Sequence, residues 1–272
     1  MLLIIDSGST KSDYCWVESG AIKHQDNSLG INPFLQSPED ILSTLSSVVQ
    51  SYDTPSEIYF YGAGCTQEKS GIVKSQLSIL YPQAKIEVAS DLLGAARSLL
   101  QHEPGIACIL GTGSNSCYYD GEKIQKNVSP LGFILGDEGS GAVIGKHLIS
   151  DIMKGIAPQN VIQQFYDETK LTSAEMMDHI YKQAFPNRYL AQFTKHIVNH
   201  RKESYFQNLL VQCFDQFFKR NISQYNQESD VSFIGSIAYH FHEELNLSAL
   251  RNSYSIKKIE KSPMEGLIQY HQ

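Results

Sequence analysis

The chain of 272 residues is long enough for one large domain or two of ordinary size, and an apolar content of 42% supplies real cores. Its formal net charge of -7 argues against a general nucleic-acid or anionic-membrane surface, while local phosphate binding by backbone amides stays open. No apolar run is long enough to cross a bilayer, and five scattered cysteines without Cys-x-x-Cys spacing (Cys15, Cys65, Cys108, Cys117, Cys213) fit reduced thiols packed as small hydrophobes.

Met1 to Ile5 is apolar but gives way at once to Asp6 with no basic leader, so it reads as a strand and not as a signal peptide, and a cytoplasmic protein is expected. Strand patterns at residues 2–5, 14–17, 58–61, 86–89, 106–110, 117–119 and 231–234 alternate with helical patterns at 38–50, 69–81, 91–101 and 139–154. A mostly helical stretch follows from 160 to 226. Strands alternating with helices predict an α/β fold with ligand sites at strand ends.

Within that pattern the chain repeats itself. Leu3-Ile4-Ile5-Asp6-Ser7-Gly8-Ser9-Thr10-Lys11 and Cys108-Ile109-Leu110-Gly111-Thr112-Gly113-Ser114-Asn115 are each a short apolar strand entering a turn of small residues. Each resumes as a second strand and reaches a hairpin signal, Glu18-Ser19-Gly20 and Asp120-Gly121. Gly-Ser-Thr turns join strands in many proteins. Here the whole unit recurs in register, which favours two turns whose N–H groups face one polyphosphate.

Five further segments carry candidate chemistry. Asp91 follows the strand ending at Ala89-Ser90 and opens a helix, so it is expected at the N-cap, with a capping and a catalytic role equally open. Pro130 to Gly141 holds Gly132, Gly136, Gly139 and Gly141 around the adjacent carboxylates Asp137 and Glu138, for which a hydroxyl-binding role is favoured over a plain turn. Val231 to Ala238 is a strand running into the small turn Gly235-Ser236 and a helix, a common junction. His196 and His200 have a metal-like spacing, but with no third ligand evident a solvated helix face is favoured. Asn32 lies in the Gly30-Ile31-Asn32-Pro33 turn.

Together these segments resemble the N-acetylglucosamine kinase branch of the sugar kinase, Hsp70 and actin superfamily, and equally the related BadF/BadG/BcrA/BcrD ATPase family. The resemblance implies two ribonuclease H-like, actin-like ATPase domains around a central nucleotide and sugar cleft: 1–107 plus 262–272, and 108–261 with a helical insertion. It implies ATP and Mg²⁺ as cofactors, with Gly8, Ser9, Thr10, Lys11, Gly111, Thr112 and Gly113 in the phosphate loops, Gly235 and Ser236 at the adenosine turn, and Asp6 holding Mg²⁺ through water. Asp91 falls where the family keeps its catalytic base, and Asn32, Ser114, Asn115, Gly132 and Asp137 match sugar-binding positions. The first loop reads Asp-Ser-Gly where much of the superfamily has Asp-Gly-Gly, and the adenosine turn reads Gly-Ser where Gly-Gly is common.

The implied activity is ATP-dependent phosphorylation of an amino sugar, N-acetylglucosamine to its 6-phosphate, by a chain without nucleic-acid or membrane partners and with a homodimer left open. The alternatives are a BadF/BcrA-type activator ATPase, a non-catalytic sugar sensor and an actin-like filament subunit. No cysteine lies within residues 112–116 or 130–141 to ligate the iron–sulfur cluster of an activator, and no basic helix is added to bind DNA.

Overall fold

Leu3, Ile4 and Ile5 are fully buried, so strand β1 (Leu2–Ser7) is apolar on both faces and can only be central in a covered sheet. In the computed structural model, which describes residues 1–8, 10–49, 52–225 and 230–272, it is. With β2 (Lys11–Glu18), β3 (Ala21–Leu29), β4 (Glu57–Gly62) and β5 (Lys85–Ser90) it forms a sheet of order β3-β2-β1-β4-β5. The β1-β2-β3 meander is antiparallel, and β1, β4 and β5 run parallel.

The strands β6 (Gly105–Leu110), β7 (Ser114–Tyr119), β8 (Ile124–Asn127), β9 (Val231–Ile234) and β10 (Ile256–Glu260) make a second sheet of order β10-β9-β6-β7-β8. Read from β8, this is the strand succession of the first sheet. The internal repeat is therefore a repeat of topology. The chain divides into two compact units, residues 1–107, 119–125 and 262–272 in one and residues 108–118 and 126–261 in the other.

Strands β3, β8 and β10 lie outside the predicted elements. All three are edge strands with much of their surface in water, and their polar sequences, such as Lys23-His24-Gln25-Asp26-Asn27, carry no apolar period to read. Helices Pro38–Val49, Ser70–Leu80 and Asp91–Leu100 lie where expected, although Gln50 is outside the described residues. The helix expected from 139 begins two residues later as Gly141–Lys154, because Gly139 is left-handed (φ +71°) and Ser140 takes the cap. Helices Gln159–Thr169, Ser173–Lys182, Pro186–Gln192, Thr194–His200 and Ser204–Arg220 fill the expected helical stretch, of which residue 226 is not described. Among the described residues no helix is long and apolar enough to cross a membrane.

The C-terminal helix Met264–Tyr270 returns to the first unit, where Met264, Leu267 and Ile268 pack against Ile4, Cys15, Val17 and Tyr61. Gly266 allows the close approach: a Cβ there would stand 2.3 Å from the carbonyl oxygen of Ser98. Alanine for glycine at an open helical position stabilises by up to about 1 kcal/mol. Gly266→Ala is expected to do the opposite, lowering stability by about 1 to 3 kcal/mol through overpacking against backbone, as denaturant unfolding would show. An unchanged or raised midpoint would mean the helix docks without this contact.

Candidate functional site

In the first unit the parallel register aligns Ser7 with Gly62 and Gly62 with Ser90, so β1, β4 and β5 end side by side. That places Asp6 one residue from the end of β1 and Asp91 immediately after β5, at the strand ends where α/β ligands bind. The expectation that Asp91 is the N-cap is corrected. Ser90 leaves the strand with extended dihedrals (φ -70°, ψ 151°) and takes the cap, its Oγ accepting the Leu93 N–H at 3.2 Å. Asp91 is the first helical residue, and its Oδ1 accepts the Leu92 N–H at 2.9 Å.

Asp6 faces Asp13 across the β1-β2 pair. Burial, and then the charges of Asp91 and Asp13, push the Asp6 carboxyl up to about 8. Burial raises Asp91 to about 6, partly countered by backbone N–H groups. Both keep some solvent access, so for Asp6 the upward direction rests on carboxylate crowding as well as on burial.

Ser7, where the superfamily often has glycine, is buried and points into the unit. Its Oγ lies 2.7 Å from Ser12 Oγ, accepts the Ile31 N–H at 2.8 Å and sits 3.0 Å from the Ile31 carbonyl. The next residue, Asn32, organises its own turn by accepting the Phe34 N–H on Oδ1 at 2.9 Å. In the first loop Gly8 N–H donates to the Lys11 carbonyl at 3.0 Å, the Thr10 carbonyl accepts from Gly30, and the Lys11 ammonium pairs with Asp13 at 2.6 Å. Ser9 lies outside the described residues.

The second unit brings three distant turns together. Gly235, with φ +117°, packs so closely that a Cβ would stand 2.3 Å from the Leu110 carbonyl oxygen. Gly141 and Ala142, the first residues of the helix capped by Ser140, donate their N–H groups to the carbonyls of Gly111 (2.8 Å) and Thr112 (3.1 Å). Asp137 Oδ1 accepts the Ser114 N–H at 3.2 Å. The loop is thus gripped by its carbonyls, and among the described residues the N–H groups of Thr112 and Gly113 take no protein partner.

Asp137 and Glu138 diverge. Glu138 is tied to Arg220 Nε at 2.8 Å and accepts from Asn221 at 3.2 Å, so it is a structural anchor. Asp137 is left-handed (φ +54°), a conformation Asp tolerates better than most residues, and burial followed by Glu138 pushes its carboxyl up to about 6 against the lowering effect of the Ser114 N–H. Gly132 opens a single helical turn, Gly132–Leu135, in a segment read from sequence as a turn, and its Cα faces open space. Ser236 is exposed at the first position of helix Ser236–His240. Asn115 is partly committed: its Oδ1 accepts from Asn127 Nδ2 at 2.8 Å and from the Ser116 N–H at 2.9 Å.

The structure therefore gathers Asp6, Asp91 and, by way of Ser7, Asn32 at one end of the first sheet, and Gly111, Thr112, Gly113, Ser114, Asp137 and Gly235 around one loop of the second unit. Sequence reasoning missed Asp13, Ser7, Ser90 and Asn127. Asp13 was findable as the cross-strand partner that a short turn assigns to Asp6. All five cysteines are buried and free; burial drives the Cys108 thiol well above its usual value, which disfavours the thiolate a cluster would need.

No family model matches the chain. A protein of Porphyromonas gingivalis, named as a candidate N-acetylglucosamine kinase, is 43% identical with a TM-score of 0.94, covering 100% of this chain and 98% of its own. The N-acetylmuramic acid/N-acetylglucosamine kinase of Clostridium acetobutylicum is 30% identical over 168 residues, 59% of this chain and 54% of that protein, so the match spans about half the length of this curated relative. A ROK family glucokinase of Streptomyces griseus, solved with glucose and AMPPNP, shares the fold alone, with a TM-score of 0.59 and 12% identity over 98% of this chain and 97% of its own. The expected α/β class of the actin-like ATPases is shown.

Asp137 offers a test of whether this carboxylate is held at a cost. Its folded value of about 6 lies above the ordinary 3.8, so the penalty for keeping it charged is fully present above about pH 6 and vanishes below about pH 4. Asp137→Asn keeps both the Oδ1 acceptor and the tolerance for a left-handed backbone. The variant is expected to be more stable than wild type at pH 7.5 by about 1 to 2 kcal/mol, allowing for the water that reaches the group. The gain should disappear by pH 4 in urea titrations; a gain independent of pH would refute the charge penalty.

Proposed function

Because the chain belongs to the N-acetylglucosamine kinase-like family of the sugar kinase, Hsp70 and actin superfamily, we propose that it transfers the γ-phosphoryl group of ATP to an amino sugar, N-acetylglucosamine first among acceptors, at the 6-hydroxyl. The observation that carries this reading is the loop of the second unit, gripped by its carbonyls while the Thr112 and Gly113 N–H groups stay unpaired. Such a turn is built to meet anionic oxygens. On this reading residues 1–107 with 262–272 form one domain and 108–261 the other, in a cytoplasmic enzyme that binds neither nucleic acid nor membrane.

Phosphoryl transfer asks a protein for positioning and charge stabilisation more than for covalent chemistry. The second unit contributes the Thr112 and Gly113 N–H groups and the Thr112 hydroxyl to phosphate oxygens, and the Gly235-Ser236 backbone to the adenosine. In it Ser114, Asn115, Gly132 and Asp137 hold sugar hydroxyls. The first unit contributes Gly8 to Lys11 to the phosphates and Asn32 to the sugar. Asp91 takes the proton of the attacking hydroxyl, a role suited to a carboxylate raised toward 6.

The residues fit Mg²⁺: the charges of Asp91 and Asp13 add to burial in pushing the Asp6 carboxyl up, and oxygen donors with retained water are what this ion prefers. Bound there, it supplies positive charge to the phosphate oxygens. Asp6 holds it through water. Lys11 is partly neutralised by Asp13 and serves less as a phosphate clamp than its position suggests.

Coupled assays of ADP release should show turnover that depends on added N-acetylglucosamine, with N-acetylmuramic acid and hexoses as comparison acceptors. ATP hydrolysis at one rate with and without every sugar would sink the kinase reading. Asp91→Asn leaves the Ser90 cap intact, so its melting temperature should match or exceed that of wild type while turnover falls by about 10² to 10⁴. Near-normal turnover in that variant would remove Asp91 from the chemistry.

A further inference from the structure

The histidine pair set aside in the sequence as a solvated helix face is not solvated. His196 is only 7% exposed, with the rings of Phe165 and Phe206 standing edge-on to it at 5.3 and 5.6 Å. His196 and His200 lie one turn apart on helix Thr194–His200, and the residue they face is Glu168, in the last turn of helix Gln159–Thr169. Its Oε2 is 2.8 Å from His196 Nδ1 and its Oε1 is 2.7 Å from His200 Nε2. The third group that the sequence lacked thus comes from another helix. One ligand atom from each residue lies within 4.8 Å of the others.

We propose that Glu168, His196 and His200 form a binding site for one divalent transition cation of the zinc class. Two imidazole nitrogens and one carboxylate oxygen, with water in a fourth position, are a zinc donor set, whereas Mg²⁺ and Ca²⁺ select oxygen alone. Bonds of about 2.1 Å to a tetrahedral ion set ligand atoms roughly 3.4 Å apart, so the close contacts must open by about 0.6 Å. Glu168, with a side chain 43% exposed, has the freedom to yield.

The proton count closes without an external base. The hydrogen that each ring shares with Glu168, at His196 Nδ1 and His200 Nε2, moves to the other nitrogen of the same ring as the ion takes its place. For His200 that nitrogen, Nδ1, lies 3.8 Å from Glu203, an acceptor of the kind that orients ligating histidines, and Gln164, whose amide Nε2 stands at 2.8 Å, must turn its Oε1 toward the ring to accept as well. His196 Nε2 has no hydrogen-bond partner among the described residues, so the one polar interaction available to this buried ring runs through Nδ1. The bound ion would pin the two helices together.

Metal-stripped protein titrated with Co²⁺ should take up one equivalent and develop the intense visible absorption of a four-coordinate site without thiolate charge transfer. Zn²⁺ should displace the Co²⁺ and raise the melting temperature. E168Q and H200Q, checked for folding by circular dichroism, should each weaken binding at least tenfold. Two paramagnetically shifted imidazole N–H signals in Co²⁺-loaded wild type decide the matter if either variant fails to fold. No uptake at equimolar metal, undiminished affinity in both variants, a thiolate band or the absence of shifted imidazole signals would each overturn the site.

Discussion

The second glycine turn is held from behind. Its carbonyls at Gly111 and Thr112 satisfy the first N–H groups of helix Gly141–Lys154, donors that every helix start leaves without an internal partner. The same peptide units therefore present their N–H edges away from the helix, and the loop's polarity is fixed before any ligand arrives. Gly235 supports the opposite side of the loop at backbone contact distance, so even one methyl group there would displace the Leu110 carbonyl. The helix start, which in many α/β proteins meets an anion directly, here spends its donors on orienting the turn.

Charge is distributed by the same economy. Of the two neighbouring carboxylates, Glu138 is neutralised by Arg220 and fixes the glycine segment to helix Ser204–Arg220, which leaves Asp137 free to lean on Ser114. In the first unit Asp6, Asp13 and Asp91 are crowded, and the exposed Lys11 pairs with Asp13. Crowded acids are unfavourable for folding, and here they persist at the strand ends of the first sheet.

The inner strands β1, β4, β6 and β9 were legible because their apolar runs leave no other location for them. The edge strands β3, β8 and β10 were not, because polar residues at a sheet edge carry the same signal as a loop. At the site, the repeated turns and the glycine-acid segment were visible as local patterns, and their meeting around Gly111 was not, since it depends on backbone approach and not on side-chain type. Asp91 and Ser90 show the limit of local reading. Both are good caps, and only the dihedral at which the strand ends decides between them. Glu138 and His196 show the limit of distance: Glu138's partner Asn221 lies 83 positions away, and Glu168 faces His196 from a separate helix.

The two repeats share strand order yet stabilise their turns by different means. Where the first unit has Ser7, a buried hydroxyl ties the β1-β2 turn sideways to Ile31 and so to the Asn32 turn. In the second unit β6 ends at Leu110, and backbone from Gly141 and Gly235 closes in on the turn that follows. A side-chain clasp links the first turn to the Asn32 turn. A backbone clasp holds the second turn by its carbonyls and leaves the Thr112 and Gly113 N–H groups without a protein partner among the described residues. The same strand order thus carries two ways of fixing a turn, one through a hydroxyl and one through peptide groups.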